Sequence, residues 1–143
     1  MEDLVEGFTR GHVTAVKIVL ASVVTGLALY QVVLMAVGYG KVRLPFLEPK
    51  AASSSHRAVG DTAAAITALV AVMCIAYFGF EDGTRVSAHI AFASLLLGVL
   101  ALKILVLRRW HALGRYLPVL GLLVLTLFVL TWITSAGAYL IGG

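Results

Sequence analysis

Residues 13–37 read VTAVKIVLASVVTGLALYQVVLMAV, and Lys17 is the one charged side chain among them. A helix needs about 20 apolar residues to cross the hydrocarbon core of a bilayer, so this run reads as a membrane span. Three further runs follow at Thr62–Phe80, Val86–Leu107 and Leu117–Ala138. The second is the shortest and gains a turn from Ala58–Asp61. The expected fold is all-α: one integral-membrane, up-down four-helix bundle filling residues 1–143, with helices over about 11–39, 56–80, 85–108 and 116–140.

Composition supports the same class. The chain is 61% hydrophobic and 13% charged, with mean hydropathy +1.01, more apolar surface than a soluble domain can hide. The net charge of +4 reads as topology and not as a nucleic-acid signal. Lys41, Arg43, Lys50, Arg57, Arg108, Arg109 and Arg115 would lie on one side, with Lys103 snorkelling towards it. Arg10, Arg85 and Lys17 would lie on the other. Basic loops face the cytoplasm, so both termini are expected outside it, in a multi-pass inner-membrane protein. The opening residues Met1–Glu6 are acidic, unlike a signal peptide, so the first helix is expected to stay. Cys74 is the only cysteine, which leaves no internal disulfide and no cysteine-based zinc site.

The one long connection is Gly40–Ser55. Pro45 and Pro49 are expected to break regular structure there. Leu44, Phe46 and Leu47 are placed to dip into the interface, and Ser53–Ser55 to cap a helix that starts before His56. Glu81–Thr84 reads as a tight turn, and Pro118 suits a first helical turn. A faint repeat pairs His12 with His89, and His56 and Gly60 with His111 and Gly114, as in a duplicated hairpin.

Every histidine falls at or near a helix end. Antiparallel threading puts His12 with His89 on one side, and His56 with His111 on the other. Ionisable groups in a membrane are costly and mark function, and imidazole is the usual axial ligand of a haem held between helices. Two bis-histidine haem b groups would then be held, with His12, His89, His56 and His111 as iron ligands. Arg57 and Arg109 would neutralise propionates. The other reading treats all four as interfacial side chains. At about 100° and 1.5 Å per residue, His89 and His111 lie within about 40° on one helical stripe and about 33 Å apart if the helix runs that far. Phe92, Leu96, Leu100 and Lys103 share that stripe, so its direction, into the bundle or towards lipid, decides between the readings.

The string Ser53-Ser54-Ser55-His56-Arg57-Ala58-Val59-Gly60 resembles the Ser-x-x-His-Arg-x-x-Gly motif of succinate dehydrogenase cytochrome b anchor subunits. That resemblance implies that Ser53 and Arg57 lie near quinone or haem propionates; independently of it, a glycine one turn after a histidine, as Gly60 is, would let a flat macrocycle approach the backbone. The match covers eight residues. The chain departs from those subunits in having four helices and in lacking their later histidine–aspartate motif. Over its length, through Gly38-Tyr39-Gly40-Lys41, His56–Asp61, Pro118 and Trp132–Ala136, it is similar to an uncharacterised four-helix membrane family of actinobacterial type. That likeness implies a membrane fold with haem and no established activity.

The functional expectation is a small b-type cytochrome, with one or two haems, exchanging electrons with menaquinone or a redox partner protein. The alternative is a non-redox accessory subunit of a larger membrane complex. A homo-oligomer fits either. A transporter is disfavoured, because no intramembrane charge cluster marks a pathway. No nucleophile–base pair, phosphate loop or carboxylate dyad appears, so no catalytic residue is assigned.

Overall fold

The computed structural model describes residues 2–78 and 83–142. A short helix α1 (Glu2–Thr9) precedes four long ones. α2 spans Val13–Gly38; α3 spans Pro49–Met73 and continues as a π-helical turn, Cys74–Phe78. α4 spans Thr84–Arg108. A 3-10 turn at His111–Tyr116 leads into α5 (Leu117–Trp132), a second π turn (Ile133–Gly137) and α6 (Ala138–Gly142). All four long helical units are long and apolar enough to cross a membrane, which makes the chain an all-α, four-helix membrane bundle.

Helix boundaries follow local chemistry. α3 begins at Pro49, two turns earlier than the expected start near residue 56. Proline in the first turn has no N–H to leave unpaired and a φ already helical, so Pro49 opens the helix that it was expected to break. Glu48, in extended conformation, is the cap residue, and the serines lie inside the helix. Pro118 sits in the first turn of α5. Gly40, at φ 68°, lets the chain turn back over the end of α2, where Gly40 and Lys41 N–H groups bond Val37 and Ala36 carbonyls at 2.9 Å. Of the tight turn expected at Glu81–Thr84, Glu81 and Asp82 lie outside the described residues.

The four long helices do not pack equally. α2 packs closely along α3, α4 along α5, and α2 along α5, whereas α3 and α4 make few close approaches among the described residues. At mid-height all four meet in one core, with Val24 and Ala28 of α2, Ala63 of α3, Leu96 of α4, and Val124, Leu127 and Phe128 of α5. Towards the α2–α3 connection, Leu34, Val37 and Ala52 form a second, solid core, with Leu44 and Leu47 of the connection packed onto it. The half that bears the termini is hollow.

The bundle-facing stripe of α4 settles its direction. Leu96 is buried and Phe92 and Leu100 pack on the core, while His89 and Lys103 are half-buried. The stripe ends there. α4 stops at Arg108, its cap at Arg109, and the chain bends into the 3-10 turn, so His111 leaves the stripe and is exposed.

Candidate functional site: a cavity in the terminal half of the bundle

A cavity of about 430 Å³ lies in the hollow half, within the range of pockets that bury a small ligand. Its floor is the central core, through Val24, Leu96 and Phe128. Both π turns line it, through Cys74 and Ile75 on one side and Thr134, Ser135 and Ala136 on the other. A π turn carries an extra residue, re-aims the side chains after it and recurs at functional sites.

The walls differ in chemistry. On the α2–α3 wall, Lys17 hydrogen-bonds the Cys74 thiol, and both line the cavity. On the α4–α5 wall, His89 Nδ1 lies 3.2 Å from Thr134 Oγ1, with the Thr131 carbonyl as a further backbone partner. Lys17 is near enough to His89 to act on it electrostatically, and Arg85 also lines the space.

The network assigns the imidazole proton. Thr134 Oγ1 has one hydrogen, and it points at the Leu130 and Thr131 carbonyls, 2.9 and 3.1 Å away. The hydroxyl must therefore accept from His89, so Nδ1 carries the proton. In the neutral ring Nε2 is then a bare acceptor, on a residue that lines the cavity. Thr131 Oγ1, also on this wall, is a buried side-chain oxygen without a hydrogen-bond partner among the described residues. Such an orphan is costly and is relieved by a ligand or water with a polar atom to offer.

Trp132 closes one corner. Its indole N–H donates to Ser22 Oγ at 2.9 Å, tying α5 to α2. Its six-membered ring lies against Gly137, where a Cβ would come within 3.0 Å of it.

The other residues singled out in the sequence lie elsewhere. His12 is exposed at the N-cap of α2. At about 100° per residue it falls on the side of the helix opposite Thr14, Lys17 and Ala21, which face the cavity, and it is not among the cavity's lining residues. His56 is half-buried between α2 and α3 in a mutual clasp. Its Nδ1–H donates to the Gln31 carbonyl at 3.3 Å, and Gln31 Nε2 donates to the His56 carbonyl at 3.2 Å.

Gly60 belongs to the same clasp, since a Cβ there would lie 2.9 Å from Gln31 Nε2. Ser53 Oγ fills the space a Cβ on Gly38 would need, at 2.9 Å. Ser53, His56 and Gly60 thus interlock α3 with α2. Arg57, Arg109 and His111 are exposed. His111 and Arg109 line only an open depression formed by the consecutive stretch Arg109–Leu113, which is a bend in the chain. Neither expected histidine pair is brought together in a shared cavity.

Some of the residues found here had a readable signal. Gln31 is the lone amide inside the first apolar run, and a polar group in a membrane helix needs a partner. Thr131, Thr134 and Ser135 recur at helical spacing on one face of the last run. The orientation of His89, by contrast, depends on the π turn beside it, which no spacing announced.

Among known proteins, a family model described as "Family of unknown function (DUF6529)" matches residues 4–142, and the chain belongs to that family. No curated protein and no solved structure matches it.

Proposed function

We propose that this member of a family of unknown function is a quinone-binding subunit of a membrane electron-transfer system, with the quinone ring held in the cavity between Lys17 and His89. The observation behind this reading is the assigned imidazole. A quinone offers only acceptor oxygens, while its quinol offers hydroxyl donors. A site serving both forms needs a donor on one side and a base on the other. Lys17 supplies N–H donors and His89 Nε2 supplies the base. Oxidation of a quinol releases two electrons and two protons: His89 Nε2 takes the first proton, water takes the second, and the two electrons pass one at a time to a haem or iron–sulfur centre of a partner protein. The sparse contact between α3 and α4 supports that side as the exit of a prenyl tail into lipid.

A second reading keeps the cytochrome expectation in a single-site form, with His89 as axial ligand of one haem b. It is favoured by the same hydrogen bond, since an axial imidazole is oriented through its other N–H, and by Lys17 and Arg85, which suit carboxylates. A bound haem would supply one-electron transfer.

One purification separates the readings. The protein is isolated from native-like membranes in lipid nanodiscs, extracted for quinone, and examined as a dithionite-reduced minus oxidised spectrum. Co-purifying quinone that His89→Ala loses, with no haem α-band, supports the first reading. A haem α-band that His89→Ala abolishes and His12→Ala leaves intact supports the second. Absence of both under haem and quinone supply refutes both.

A further inference from the structure

The basic end of the bundle carries a feature that the cavity does not use. Leu44–Leu47 form a turn closed by Leu47 N–H to the Leu44 carbonyl at 3.2 Å. Pro45 occupies the second position, where its fixed φ favours turning. Leu44 and Leu47, the legs, pack onto Leu34, Val37 and Ala52. That pins the turn and leaves Phe46 at its tip, 81% exposed. A large apolar ring held out on a braced turn is not core. Lys41, Arg43 and Lys50, all exposed, flank it.

The charge around this turn has one sign. Glu48 is the single acidic residue between Gly40 and Ser55. The α4–α5 connection at the same end adds Arg108, Arg109 and Arg115, all exposed, with the Arg115 guanidinium 4.8 Å from the Tyr116 ring centroid. Glu2, Asp3 and Glu6 belong to α1, at the opposite end of the bundle. An apolar tip inside a cationic collar complements an anionic lipid surface, whose acyl boundary takes the ring and whose phosphates take the ammonium and guanidinium groups.

We infer that the Leu44–Leu47 turn is a built anchor for anionic phospholipid: Phe46 enters the acyl boundary while Lys41, Arg43 and Lys50 hold lipid phosphates. The inference is independent of what fills the cavity. Only the tip residue inserts; Leu44 and Leu47 hold the turn in place.

The test uses the full chain in two parts. The variant Phe46→Trp, in a Trp110→Phe, Trp132→Phe background, is reconstituted into vesicles of phosphatidylcholine with or without phosphatidylglycerol. Lipids brominated near the glycerol end of the chain quench the single introduced indole if the tip inserts. Separately, wild-type protein in neutral detergent is titrated with short-chain phosphatidylglycerol, phosphatidylcholine and inorganic phosphate, read as a shift in Tm. We expect strong quenching, and a preference for phosphatidylglycerol that weakens roughly fivefold for each cation removed by Lys41→Gln, Arg43→Gln and Lys50→Gln. An unquenched indole at the tip, equal response to both lipids, equal response to inorganic phosphate, or an undiminished preference in the triple variant would each overturn it. The neutralising variants are exposed and leave the packed legs untouched, so their folding is checked by retention of wild-type Tm without lipid.

Discussion

Thr134→Val tests the assignment of the imidazole proton. Valine has the shape of threonine and lacks the oxygen that accepts from His89 Nδ1 at 3.2 Å. Loss of a hydrogen bond of this kind costs about 0.5–1.5 kcal/mol, and a buried donor left short of a partner about 1–3 kcal/mol. The Thr131 carbonyl remains as a second backbone partner for the imidazole ring, so we expect the stability loss at the low end, about 1 kcal/mol. The effect on ligand should be asymmetric. Without Thr134 the proton is free to move to Nε2. That removes the base a quinol hydroxyl needs and creates a donor a quinone carbonyl welcomes. The quinol Kd should therefore rise about two- to tenfold, the equivalent of the lost bond, while the quinone Kd stays flat or falls. Trp132 lines the cavity, so its fluorescence in a Trp110→Phe background reads each titration, in nanodiscs with reductant held constant. Thr134→Ser, which keeps the hydroxyl, should restore the wild-type ratio. Equal weakening of quinone and quinol, or failure of serine to rescue, would refute the proton assignment.

Other consequences are equally direct. Gly137→Ala places a methyl 3.0 Å from the rigid Trp132 ring; it should cost about 1–3 kcal/mol and break the Trp132–Ser22 bond, seen as a shifted Trp132 emission. In the α2–α3 clasp each side chain bonds the other's backbone. Gln31→Leu and His56→Phe should thus each remove one bond, about 1 kcal/mol apiece, and their effects should add in a double-mutant cycle of reversible unfolding. A coupling above about 1 kcal/mol would contradict that geometry. Cys74 lines the cavity, so added quinone should slow its alkylation by a small maleimide severalfold, while phosphatidylglycerol should leave the rate unchanged.

The spans were legible because twenty-residue apolar runs have few other uses. The bundle-facing stripe of α4 was legible from helical angle alone, down to Lys103. Past that point the projection does not apply, because its condition, a helix running through to His111, is not met: the cap at Arg109 ends it. His12 lies off the cavity that His89 lines for a related reason: chain end and helix side are different coordinates, and threading gives only the first. The histidine in the Ser-x-x-His-Arg-x-x-Gly string was conspicuous, but its partner is an amide 25 residues earlier, and the glycine that looked like room for a macrocycle is room for that amide. Lys17 looked like a snorkelling cation; the hollow beside it, opened by two π turns, gives it an inward destination. Backbone registers of that kind arise from packing between helices and leave no period in the chain.

The sparse contact between α3 and α4 bears on how such a chain is assembled. Each strong lateral contact but one lies between helices adjacent in sequence, α2 with α3 and α4 with α5; the exception is the α2–α5 seam. The molecule is in effect two hairpins hinged on one shared edge. Each can enter the bilayer as a locally closed unit, with little loop entropy to overcome, before the seam zips. Halves produced as separate polypeptides, divided within the α3–α4 connection, have all the surfaces they need to find each other in the membrane.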